Sequence, residues 1–208
     1  HCITFENPCL TGTDLKHGQL IRAKKTLEGR LTFCFVGRLE RAKGVELIIK
    51  AFAMLSTHEK ERIGKVHLVG DGHETAYFKA LAKDIQGIEF IFHGFLSRAA
   101  VFNIYKDSHV FMLPSMASEG FPKVIAESMN FGCIPLVSNV SSIAQYVNTS
   151  NGYVLNNVSV DNMLNELKNI INLQDEDYRQ LLETHTAFIS AFSFEHYNAR
   201  IKALLNLT

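Results

Sequence analysis

The sequence predicts a doubly wound α/β fold built on a parallel six-stranded sheet. Short, almost wholly apolar runs such as Leu31–Val36 (LTFCFV) mark strands covered on both faces, as in parallel sheets. Between them lie segments whose apolar residues recur at helical spacing. Strand alternating with amphipathic helix winds right-handed into such a sheet.

Residues 1–29, with Pro8, Gly12 and Gly18, have mixed polarity and are expected to form a lead-in with a short polar helix ending near Gly29; the domain proper is placed at 30–208. After the first strand comes a polar loop, Gly37 to Gly44, and then a helix marked by Val45, Ile48, Ile49, Phe52 and Leu55. Val66–Val69 is the second strand, Gly70-Asp71-Gly72 a tight turn, and Glu74 to Ile85 a helix with the stripe Tyr77, Phe78, Leu81 and Ile85. Ile88–Phe92 is the third strand, His93 to Leu96 its loop, and Ser97 the N-cap of a helix to about Lys106. His109–Leu113 is the fourth strand. Pro122 suits the first turn of a helix running to about Phe131, where Gly132 stops it. Ile134–Val137 is the fifth strand, with Pro135 tolerated near its start. A short helix over Ser141–Val147, a sixth strand at Gly152–Leu155, and three helices at about 160–172, 175–191 and 195–206 complete the chain.

The 208 residues suffice for a sizeable core, and a 47% hydrophobic, 20% charged composition is that of a soluble globular protein. Twenty-one Lys and Arg balance twenty-one Asp and Glu, so there is no basic field of the kind that binds nucleic acid. No apolar run reaches the roughly 20 residues of a membrane span, and the start is neither a signal nor a transit peptide. Cys2, Cys9, Cys34 and Cys133 lack CxxC spacing, which favours buried thiols in a reducing, cytoplasmic setting over disulfides or zinc.

Two carboxylates flank the start of the helix after the fourth strand, Glu119 before it and Glu127 within it beside Lys123. At about 1.5 Å per residue their spacing is roughly 12 Å if helical, longer than the roughly 5 to 9.5 Å of a glycosidase's carboxyl pair. They suit two acceptors holding one elongated, hydroxyl-rich ligand, with N–H groups of the first helical turn between them. The alternative is that Glu119 favours the helix dipole and Glu127 is a solvated surface residue. Arg38 and Lys43 lie in the loop after the first strand, the usual phosphate site of a doubly wound fold; a solvated basic turn is the competing reading. Neither GxGxxG nor GxxxxGK[ST] is present. His73, His93 and His109 are scattered, without metal-ligand spacing, and are expected to be structural or surface residues. Ser115 and Ser118 lack a GxSxG elbow, against a serine hydrolase.

With these loops placed, the sequence resembles the C-terminal, nucleotide-sugar-binding domain of the family-four retaining glycosyltransferases of GT-B fold. The resemblance runs through FVGRLERAKG, VHLVGDG, FHGFL, LPSMASEGFPKVIAESMNFGCIPLVS and NGYVL, over about residues 31–155 in order. It implies a Rossmann-like domain, one of two in such an enzyme, with Arg38 and Lys43 on the donor diphosphate. Glu119 would lie near the transferred sugar as the catalytic candidate, and Glu127 on the ribose hydroxyls. The backbone of Gly120, Phe121, Pro122 and Lys123 would contact sugar or phosphate, and Gly94, Phe95 and Leu96 would face the base. It further implies a carbohydrate or glycolipid acceptor bound by a missing N-terminal domain, no metal or other cofactor, and a final helix that crosses back to that domain. The full-length enzyme would then work at the inner membrane face in polysaccharide or glycolipid assembly, and this half alone would be inactive. The competing classes are a non-catalytic nucleotide-binding regulatory module and a GT-B sugar epimerase fragment.

Overall fold

The computed structural model describes residues 6–117 and 120–205. Its centre is a six-stranded, wholly parallel sheet formed by β1 (Leu31–Val36), β2 (Ile63–Val69), β3 (Glu89–Gly94), β4 (Val110–Leu113), β5 (Ile134–Ser138) and β6 (Tyr153–Leu155), in the order β3-β2-β1-β4-β5-β6. β1 and β4 are central neighbours from which the chain winds outward to either side, making their carboxyl ends the topological switch point. Phe33, registered with Val66 on one side and Val110 on the other, is fully buried, as a strand covered on both faces requires.

The chain opens with α1 (Gly12–Arg22), whose N-terminus is closed by a capping box between Thr11 and Asp14. It ends at Arg22, before the expected stop near Gly29, and a cluster of cations follows. Arg22 donates to the carbonyl of Asn130 at 2.5 Å, and Lys25 donates to the carbonyls of Tyr105 (2.9 Å) and Ser108. These carbonyls belong to the last turns of two other helices, α5 (Arg98–Asp107) and α6 (Lys123–Asn130), where the helix dipole favours positive charge.

The helices α2 (Val45–Ala53) and α4 (Thr75–Lys83) follow the first two strands. Between α2 and β2 the structure adds α3 (Thr57–Glu61), absent from the sequence-based expectation, although its Ser56–Glu59 capping box is a legible signal. β2 also starts three residues earlier than expected, at Ile63. After β5 come the single-turn α7 (Ile143–Tyr146) and, past β6, three helices: α8 (Val160–Ile171), α9 (Asp175–Ser190) and α10 (Phe194–Leu204). α8 packs on α2, and α9 on α6. The start of α10 is fastened to the lead-in. Cys9 and Leu10 N–H groups donate to the Phe192 carbonyl at 2.9 and 3.1 Å, and Phe194 N–H donates to Leu10 C=O at 2.9 Å. Among the described residues no helix is long and apolar enough to cross a membrane.

Candidate functional site

The loops after β1, β2, β3 and β4 all lie at the carboxyl rim of the sheet, and backbone hydrogen bonds lace them together. Gly37 N–H donates to Val69 C=O, and Leu39 N–H to Asp71 C=O, each at 3.0 Å. Gly70-Asp71-Gly72 is thus a turn that also carries the contact between two loops. On the other side, Met116 N–H donates to Ala42 C=O at 2.8 Å. Gly44, at φ 81°, has no room for a Cβ beside Pro114. Lys43 is thereby set next to the segment that follows β4.

Arg41 fixes the same loop from outside. Its Nε lies 2.8 Å from Glu46 Oε2 and 3.3 Å from Glu74 Oε1, its N–H donates to Glu74 Oε2 at 2.8 Å, and its guanidinium sits 4.6 Å from the centroid of Tyr77. Arg38 projects further, 72% exposed in its side chain, and pairs with Glu40 at 3.1 Å.

Arg38, Gly37 and Gly70 share a cleft of about 280 Å³ with Phe95, Leu96 and Val101. Phe95 stands 88% exposed on its lip, an uncommon position for a ring that nothing in the fold requires there. The structure thus groups the first-loop cation with the Gly94–Leu96 loop. Gly94 takes φ 67° as β3 turns out of the sheet.

Glu119 lies outside the described residues. Gly120 has open space around its Cα, Pro122 is the N-cap of α6 at φ −69°, and Lys123 is its first residue. The Phe121 ring is anchored 4.7 Å from Phe192 and 4.8 Å from Tyr146 between centroids, which fixes the peptide that carries it. Glu127 is not the solvated surface residue of the alternative reading. Its side chain is 14% exposed, and its Oε1 lies 3.7 Å from Arg98 Nε. Burial raises its pKa above the ordinary carboxylate value, while Arg98 and Lys123 draw it back down. Arg98 escaped the sequence reading because its contacts reach residues 9, 14 and 127, and the local pattern marks it only as a helix start.

Of the three histidines singled out by sequence, His73 is exposed, and His93 and His109 serve the fold. His109 Nδ1 accepts from Thr32 N–H at 3.0 Å, and His93 Nε2 faces His67 Nδ1 at 2.8 Å, so one N–H serves both rings of a pair that bridges β2 and β3. Cys9, Cys34 and Cys133 are buried free thiols, and Cys2 lies outside the described residues. Among the described residues no three His, Cys, Asp or Glu side chains cluster as a metal site would.

A 3-2-1-4-5-6 parallel sheet with a cleft over the carboxyl ends of β1, β2 and β3 defines a Rossmann-like α/β domain. The chain belongs to the family described as Glycosyl transferases group 1, whose profile matches residues 19–187. It is 28% identical over 187 residues to the lipopolysaccharide 1,2-N-acetylglucosaminetransferase of Salmonella typhimurium, covering 84% of this chain and 48% of that protein. Among solved structures, Anabaena HepE in complex with UDP and glucose superposes with a TM-score of 0.70 at 20% identity, over 96% of this chain and 53% of that one. The C-terminal domain of a group 1 family glycosyl transferase (LpcC) from Francisella tularensis superposes with a TM-score of 0.65 at 17% identity, over 91% of this chain and 96% of that one. The chain spans about half the length of the Salmonella relative.

Proposed function

We propose that this chain is the donor-binding half of a retaining glycosyltransferase that moves a sugar from a nucleoside diphosphate sugar to a carbohydrate or glycolipid acceptor. The observation that carries the reading is the rim cleft of about 280 Å³, which Arg38 and the open Phe95 ring both line. A cation beside an aromatic lip suits a nucleotide, phosphate on one side and base on the other. Lys43, on the next turn of the same loop, supplies a second positive charge for the diphosphate, and the first turn of α6 supplies N–H groups.

In this reading the departing diphosphate is stabilised by Arg38, Lys43 and backbone N–H groups aimed at the charge that develops on it. Glu127 accepts from the ribose hydroxyls. Glu119 lies near the transferred sugar, and the Gly120–Lys123 backbone holds that sugar or the phosphate. Acceptor binding and turnover belong to a protein that also carries a second such domain, with α10 as the link toward it. The setting is polysaccharide or glycolipid assembly at the inner membrane face.

The test is calorimetric titration of this chain with UDP, GDP, their sugar conjugates and the matching monophosphates. A diphosphate should bind at least about tenfold more tightly than its monophosphate, the effect of one charge-assisted contact of about 1.5 kcal/mol. Equal affinities, or no binding of any nucleotide, would remove the donor role.

A further inference from the structure

We propose that Arg98 is a positioning residue of this site, fixing Glu127 as a carboxylate acceptor for the hydroxyls of the nucleoside. The inference rests on the donor-binding reading and deepens it.

Arg98 is the first residue of α5, directly after its N-cap Ser97 and two residues beyond Leu96 on the cleft wall. Its guanidinium is held on three sides. The Cζ atom sits 4.1 Å from the centroid of the Phe102 ring, and Nη2 donates to Cys9 C=O at 2.7 Å and to Asp14 Oδ2 at 3.1 Å. The Nε edge faces Glu127 Oε1 at 3.7 Å. That separation is longer than an ordinary hydrogen bond yet within ion-pair range, with the Glu127 side chain largely buried and the Arg98 side chain half exposed. Arg98 therefore compensates the Glu127 charge mainly through its own charge, with a weaker hydrogen-bond contribution, and leaves most of the carboxylate's lone pairs for ligand hydroxyls.

Among the described residues, Arg98 from α5, Lys123 from α6 and Asp14 from α1 act electrostatically on Glu127, and Cys9 from the lead-in senses its charge. Tyr105, also on α5, senses its charge. Cys9 is pushed up to about 12 and Tyr105 well above its usual value, both by burial, so both stay neutral. Lys123 is exposed and partly screened by water. Without Arg98, burial and the Asp14 carboxylate would both favour a proton on Glu127, and a carboxylic acid presents a donor where the ligand also presents donors.

The experiment pairs a 13C NMR titration of the Glu127 carboxyl in the free chain with calorimetry of UDP against 2′,3′-dideoxy-UDP between pH 5.5 and 8. The parent, Arg98→Lys and Arg98→Met are compared, with Arg98→Gln, which can still donate to Cys9 C=O, replacing Met should that variant not fold. In Arg98→Met the Glu127 midpoint should rise. Its preference for UDP, about tenfold in the parent, should weaken as the pH falls toward 5.5 and return by pH 8. Arg98→Lys should retain most of it. An unmoved midpoint, or an equal loss of affinity for both nucleotides at every pH, would reduce Arg98 to a structural residue while leaving the donor reading intact. A parent that binds both nucleotides equally would instead take the ribose away from Glu127, and this proposal with it, while a parent that binds neither would overturn the donor reading itself.

Discussion

Gly70 lies so close against Gly37 that a Cβ placed on it would run into the Gly37 carbonyl oxygen. Its φ of 123° is also a conformation that L side chains rarely adopt. Gly70→Ala should therefore lower stability by about 2 kcal/mol or more, combining backbone strain with a clash against an oxygen that cannot move without breaking the loop lacing. Urea denaturation reads this directly. A variant as stable as the parent would mean that the two loops are not held together as described.

The exposed ring of Phe95 makes the opposite prediction. At 88% exposure it contributes little to the core, so Phe95→Ser should leave stability within about 0.5 kcal/mol. Nucleotide affinity should nevertheless fall about three- to tenfold, corresponding to about 0.5 to 1.5 kcal/mol of ring stacking. Unchanged affinity in calorimetry would take the base away from this lip.

Lys43→Ala should weaken binding of UDP and GDP by about tenfold or more, the effect of losing a charge-assisted contact of about 1.5 to 3 kcal/mol. The loss should shrink at high salt, because an ammonium at a solvent-accessible rim is screened. Identical affinities for parent and variant at low salt would displace the diphosphate from this loop.

Acid sensitivity follows from two buried histidines. Burial lowers both His109 and His185 from 6.5 to about 4, and His185 Nε2 lies 2.9 Å from the Asn151 carbonyl, to which it donates as a neutral ring. Between those limits the unfolded chain binds protons that the folded chain refuses. Stability is therefore full above about 6.5 and is lost as pH falls toward 4, at about 1.4 kcal/mol per pH unit for each histidine. Urea midpoints measured from pH 7.5 down to 4.5 should fall along this slope, and His109→Asn should flatten it by one proton. A midpoint that stays level to pH 5 contradicts the neutral, buried assignment.

The strands and the helices beside them were legible because burial on both faces and helical periodicity are local properties: LTFCFV announces β1, and Ser97 announces α5. The rim loops were legible for the same reason, since in such an alternation each of them follows the carboxyl end of a strand. Long-range electrostatics was not legible. Nothing around Glu127 in the sequence says that it is buried, nor that the cation facing it is Arg98, because burial is decided by how α1, α5 and α6 pack. Arg22 and Lys25 looked like members of a polar lead-in, yet they close the ends of two helices 80 or more residues away. The His67–His93 pair needed the β2–β3 register, which a bulge between Leu68 and Val69 alters.

Phe192 belongs to the turn between α9 and α10, and its ring stacks on Phe121 at a 28° tilt. Phe188 of α9 packs against both rings, so the peptide beside Gly120 is seated on the closing helices rather than on the sheet. Any adjustment in how those helices lie is felt at that peptide. Trimming either partner ring to alanine would reach the rim as a tilt of main chain, without changing a single group that a ligand could touch.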